Sequence, residues 1–109
     1  MKTKLIEGLS QIYSKYDAFL IDLWGVIHNG VKLYPEAVEV LKILNKLNKR
    51  FVFISNAPRP SNSVKQYLLN LKMDQNLLKN IFTSGEAAIQ ILKKKYLRKK
   101  ILPYRSGAR

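Results

Sequence analysis

No cysteine occurs among the 109 residues. That absence excludes disulfides, Cys-ligated zinc and thiol catalysis. Acidic residues are scarce, seven against 20 Lys and Arg, which leaves a net charge of +13. No apolar run approaches the roughly 18 residues of a membrane-spanning helix. Residues 1–10 carry Lys2, Lys4 and Glu7, with no apolar core or small-residue cleavage site. They do not read as a secretory signal, so a cytoplasmic protein is expected. What is present is ordinary for a folded protein: 47% hydrophobic and 10% aromatic residues. The length suits one small domain.

The positive charge points towards nucleic acid, an anionic membrane or phosphorylated ligands. Its distribution weakens that pointer. Residues 93–109 hold eight basic and no acidic residues, whereas residues 1–92 hold 12 basic and seven acidic. Most of the excess therefore belongs to a tail. Residues 1–95 are read as the folded part, and residues 96–109 as a basic tail.

Leu5, Leu9, Ile12, Tyr13 and Tyr16 recur at helical spacing, which predicts an amphipathic helix over residues 3–15. Ala18-Phe19-Leu20-Ile21, ending at Asp22, suits a strand buried on both faces. Asn29-Gly30 lies between two short apolar stretches and predicts a small hairpin. Pro35 opens a helix whose apolar stripe is Ala37, Val40, Leu41 and Leu44. Phe51-Val52-Phe53-Ile54 is a second buried strand ending at Ser55-Asn56. Val64, Tyr67, Leu68 and Leu71 then mark a helix, with Ser61 or Ser63 as its cap. Ile81-Phe82 is a brief third strand. Thr83 and Glu86 have capping-box spacing for a last helix through Ile91 and Leu92. Ile101-Leu102 starts a fourth strand that Pro103 stops. Strand and helix alternate throughout, which predicts an α/β fold with a parallel, Rossmann-like sheet.

In such sheets ligands bind beyond the carboxyl ends of the strands. Asp22 stands at the first of these ends and Ser55-Asn56 at the second. A carboxylate there suits a nucleophile or a magnesium ligand. A hydroxyl with neighbouring backbone N–H groups suits a phosphate. Asp22 equally suits a plain strand-end turn, and Ser55-Asn56 a plain loop start before Pro58. His28, the only histidine, fits either a substrate contact from the hairpin or a solvated hairpin residue, and the second reading is favoured. Arg59 fits either an anionic substrate group or a surface loop.

The stretch Tyr16–Gly30, with Asp22-Leu23-Trp24-Gly25-Val26 at its centre, resembles the first motif of the haloacid dehalogenase (HAD) superfamily. Phe51–Arg59 resembles its second motif, an apolar strand ending in Thr or Ser. Tyr34-Pro35-Glu36-Ala37 and Thr83-Ser84-Gly85-Glu86 resemble subclass IIA, the NagD-like and 4-nitrophenylphosphatase-like branch. The resemblance covers residues 15–95.

It implies a magnesium-dependent phosphatase acting on a small phosphorylated molecule. Asp22 would be the nucleophile, forming an aspartyl-phosphate, and also a ligand of Mg2+. The Trp24 backbone carbonyl would be a second metal ligand. Ser55 and the Asn56 N–H would hold the phosphoryl group, and the Asn29-Gly30 hairpin would be the flap. It also implies an incomplete core of about three strands in the order 3-2-1, without a cap domain. Strand one would then have a free edge open to self-association.

Two departures bear on activity. Trp24 stands where the family has its general acid/base Asp, and indole cannot shuttle a proton. That help is typically worth about 10²–10⁴-fold. The family's later Lys and acidic magnesium motifs have no counterpart here. The expectation is therefore the N-terminal part of a larger HAD-like enzyme, whose own activity is in question. A reading from another class is a small basic module using residues 93–109 on nucleic acid or an anionic surface. Only Tyr96 and Tyr104 interleave that segment, which leaves little for base stacking. No membrane partner is expected.

Overall fold

The structure is a computed structural model that describes residues 2–100. Three parallel strands, β1 (Ala18–Asp22), β2 (Arg50–Ser55) and β3 (Ile81–Thr83), form one sheet in the order β1-β2-β3. Three helices connect or follow them: α1 (Pro35–Lys46), α2 (Ser61–Asn70) and α3 (Ser84–Lys95). This is the α/β architecture that the alternating pattern predicts. The predicted strand at 101–102 lies outside the described residues, as does the tail beyond residue 100.

Register fixes which groups meet. Asp22 pairs with Ile54, and Ser55 pairs with Thr83. Side chains alternate across a strand, so Phe51 and Phe53 share one face. Leu41 and Leu44 of α1 and Val64 and Leu68 of α2 are buried with them in one core. Leu77 and Leu78, around a 3-10 turn at Gln75–Leu77, close that core. Both connecting helices therefore cover the same face of the sheet.

The opposite face is bare among the described residues. Leu20 is 73% exposed and Phe82 56% exposed, and Ile54 is also exposed. The expectation of strands buried on both faces is thus corrected. Only Gly85 of α3 is buried, so this helix does not cover the second face.

The predicted helix at 3–15 is absent. Two 3-10 turns, Leu9–Gln11 and Tyr13–Lys15, replace it. Gly8 is extended at φ −171°, and Leu5 is almost fully exposed. A short amphipathic helix is marginal without a surface for its apolar side, and Leu5 has found none.

Caps also differ in part. Thr83 does cap α3, its Oγ1 accepting the Glu86 N–H at 2.9 Å. Glu86 does not complete the box by reaching back. Its carboxylate instead accepts the Ser61 N–H at 3.1 Å, across to the start of α2. Neither Ser61 nor Ser63 caps α2. Pro60 holds that position, and the Ser61 hydroxyl is buried without a partner.

Candidate active site

The parallel strands β1 and β2 end on the same side of the sheet, so the loops that follow them meet. The segment 23–33 stays close to β1. The Ile27 and His28 amides donate to the Leu23 carbonyl, at 2.8 and 3.3 Å, and Gly25 donates to the His28 carbonyl at 2.8 Å. Gly25 supplies the positive φ, 77°, that this tight loop needs.

The predicted hairpin closes on a single antiparallel bridge, His28 to Leu33. Asn29 Oδ1 accepts both the Val31 and Lys32 amides at 2.9 Å. Only Gly30 has positive φ, 91°, so the turn is held by the Asn29 side chain rather than by two left-handed residues.

The loop after β2 is held from the other side. The Ala57 amide donates to Ser55 Oγ at 3.1 Å. Thr83 Oγ1 donates to the Arg59 carbonyl at 2.5 Å, and the Gly85 amide donates to the Ala57 carbonyl at 3.0 Å. A Cβ on Gly85 would stand 2.5 Å from the Pro58 carbonyl carbon and 2.6 Å from Arg59 backbone atoms. Only glycine permits this approach.

Between the two loops lies a crevice of about 490 Å³. Trp24, His28, Ser55, Asn56, Arg59 and Tyr67 are on its walls. Four of the five residues singled out by sequence thus meet in one place: Trp24, Ser55, Asn56 and Arg59. Ser55 Oγ accepts from Ala57, which leaves its own O–H free to donate to a ligand. The Asn56 N–H has no hydrogen-bond partner among the described residues.

Asp22 stands beside the crevice rather than on its wall. Its Oδ1 accepts the following Leu23 N–H at 2.8 Å. The residue is exposed and borders a neighbouring cavity with Leu20, Val26 and Ile27. Its Cα pairs with that of Ile54, one residue short of Ser55.

His28 is the residue whose setting differs most from the sequence expectation. It is 6% exposed rather than solvated. Its ring lies 5.1 Å from the Trp24 ring at 30°, and 5.5 Å from the Tyr67 ring at 63°. Tyr67 in turn donates its hydroxyl proton to the Gly30 carbonyl. Burial pushes the imidazole below its ordinary pKa, because the charged form loses hydration. Tyr67 and Gly85 had no functional reading in the sequence. Tyr67 looked like one member of a helical stripe, and Gly85 like a second position in a helix.

Among the described residues there is no group of three His, Asp or Glu side chains able to hold a metal. Two oxygen donors nonetheless stand two residues apart in sequence: the Asp22 carboxylate and the Trp24 carbonyl. That carbonyl accepts no hydrogen bond among the described residues. Such oxygens suit a hard cation that keeps several waters, as magnesium does.

Comparisons with known proteins identify the family and the fold. A family model described as haloacid dehalogenase-like hydrolase matches residues 19–108. The chain belongs to the haloacid dehalogenase-like hydrolases. Among HAD relatives, it is 29% identical over 84 residues to the 4-nitrophenylphosphatase of Schizosaccharomyces pombe, covering 77% of this chain and 28% of that protein. It is 33% identical over 97 residues to phosphoglycolate phosphatase 1A, chloroplastic, of Arabidopsis thaliana, covering 84% of this chain and 25% of that one. The chain therefore spans about a quarter of the length of these relatives.

Solved HAD structures share the fold. A haloacid dehalogenase-like hydrolase from Brucella suis superposes with a TM-score of 0.79 at 22% identity, over 91% of this chain and 43% of that one. The 4-nitrophenylphosphatase of Thermotoga maritima gives a TM-score of 0.63 at 29% identity, over 77% and 32%.

Proposed function

We propose that this chain carries the nucleophile and phosphate-binding part of a phosphatase site acting on small phosphate monoesters. The observation that carries the reading is the strand register. It sets Asp22 one residue short of Ser55, beside a crevice that Ser55, Asn56 and Arg59 line. The two relatives named above are both phosphatases, which supports the reaction class.

Each residue has a role that its chemistry allows. The Ser55 hydroxyl and the Asn56 N–H donate to phosphoryl oxygens, and the Arg59 guanidinium offsets their charge. The Asp22 carboxylate attacks phosphorus. The P–O bond to the alcohol breaks, and the alkoxide takes its proton from water, because Trp24 offers none. Water then attacks the aspartyl-phosphate, releasing inorganic phosphate and restoring Asp22. A Mg2+ held by the Asp22 carboxylate and the Trp24 carbonyl would supply charge neutralisation at the phosphate. Without a proton donor at position 24, turnover is expected to be about 10²–10⁴-fold below that of a site with one.

The test is release of 4-nitrophenolate from 4-nitrophenyl phosphate with Mg2+, in the wild type, Asp22→Asn and the control Asp17→Asn. Release that depends on Mg2+ and is lost only in Asp22→Asn supports the assignment. Equal release without Mg2+, or in Asp22→Asn, contradicts it.

A further inference from the structure

We infer that His28 is a substrate-binding residue of this crevice, donating one hydrogen bond from Nε2 to an uncharged oxygen on the organic half of the phosphate ester. The inference rests on the phosphate-site reading above and adds a determinant of specificity to it.

The tautomer follows from one contact. The Gly30 N–H donates to His28 Nδ1 at 3.0 Å. A ring nitrogen that accepts a hydrogen bond carries no proton, so the proton of the neutral ring sits on Nε2. Nε2 is therefore a donor, and it has no acceptor among the described residues. It is also absent from the buried atoms without a partner, where only the Ser61 hydroxyl is found. In a residue 6% exposed, Nε2 thus keeps access to the crevice that His28 lines.

The ring is also fixed in direction. Trp24 covers one side and the Tyr67 ring meets it edge-on. Tyr67 and Trp24 both bear on Gly30, the residue that holds Nδ1. The Tyr67 hydroxyl binds the Gly30 carbonyl, and the indole occupies the space where a Cβ of that residue would stand. A donor immobilised this way has little orientational freedom left to lose on binding, so its bond to a ligand is favourable. Ser55, Asn56 and Arg59 already take the phosphoryl oxygens in this reading, so the Nε2 donor on the opposite loop is left for a hydroxyl, ether or carbonyl oxygen of the organic half. The ligand class is a compact phosphate ester that carries such an oxygen.

The test compares glycerol 3-phosphate with propyl phosphate, which has the same carbon chain and no hydroxyl groups. Calorimetric titration of the wild-type chain with inorganic phosphate and Mg2+ comes first. No binding there overturns the phosphate-site reading and this inference with it. Where phosphate binds, the wild type is expected to favour glycerol 3-phosphate over propyl phosphate about fivefold, the value of one ordinary hydrogen bond. Two variants separate binding from turn structure. His28→Gln places an amide N–H near the Nε2 position, and should retain the preference. His28→Asn keeps an acceptor near Nδ1 for the Gly30 N–H but falls short of the crevice, and should lose the preference. Phosphate binding without any preference in the wild type, or a preference that survives in His28→Asn, overturns the assignment to His28 alone.

Discussion

The Gly85 amide donates to the Ala57 carbonyl at 3.0 Å, so the first turn of α3 is locked to the loop that follows β2. The same turn holds Arg59 through Thr83 and the start of α2 through Glu86. The third strand and its helix thus act on the candidate site without contributing a side chain to it.

Gly85→Ala is expected to push this loop outward. Its Cβ would meet backbone atoms at 2.5–2.6 Å, which cannot move aside as a side chain can. A loss of about 1–3 kcal/mol is expected, as for overpacking elsewhere. Urea denaturation measures it, and phosphate affinity should fall in parallel because Ser55, Asn56 and Arg59 share the displaced segment.

Gly30→Ala tests the turn above the crevice. The residue has φ 91°, and a Cβ would fall within the Trp24 indole. Strain of about 1–2 kcal/mol is expected from the backbone alone. Trp24 is the only tryptophan, so its fluorescence should shift as the indole is displaced, while far-ultraviolet dichroism stays close to wild type.

The two faces of the sheet should respond differently to substitution. Phe53 is fully buried in the core, and Phe53→Ala should cost about 3–5 kcal/mol. Leu20 lies on the bare face of the edge strand, and Leu20→Lys should change stability by no more than about 0.5 kcal/mol. Sedimentation velocity should show less self-association in Leu20→Lys, since a charge on an edge strand opposes edge pairing.

Stability should rise with pH through the titration of His28. The folded pKa lies below the ordinary histidine value of 6.5, so the unfolded chain binds a proton that the native state refuses. The unfolded state is therefore favoured as pH falls below about 6.5, and this penalty grows until the native pKa is reached. Denaturation midpoints between about pH 5.5 and pH 7.5 should show a steeper rise in the wild type than in His28→Gln. Equal slopes would mean that His28 does not titrate differently on folding.

Much of the fold was legible because its signals are local. The apolar run Phe51–Ile54 and the stripes on α1 and α2 each declare their element within one window of sequence. The strand-end placement of Asp22, Ser55 and Asn56 was legible because each follows a short apolar run, and the motif resemblance points to the same positions. What was missed depends on distant partners. His28 is buried by Tyr67, which lies on another element. Gly85 matters because the backbone of Pro58 and Arg59 approaches it. The helix expected at 3–15 failed for the converse reason, since Leu5 found no surface to pack against. Burial of Leu20 and Ile54 was overestimated because an apolar strand does not itself say whether anything covers its second face.

The most direct measurement is amide-resolved NMR of the 15N-labelled chain titrated with inorganic phosphate, with and without Mg2+. The account expects shifts centred on Ser55, Asn56 and Arg59, strengthened by Mg2+ in the wild type and not in Asp22→Asn. Shifts confined to the basic residues Lys93–Lys95, or no dependence on Mg2+ and Asp22, would contradict it.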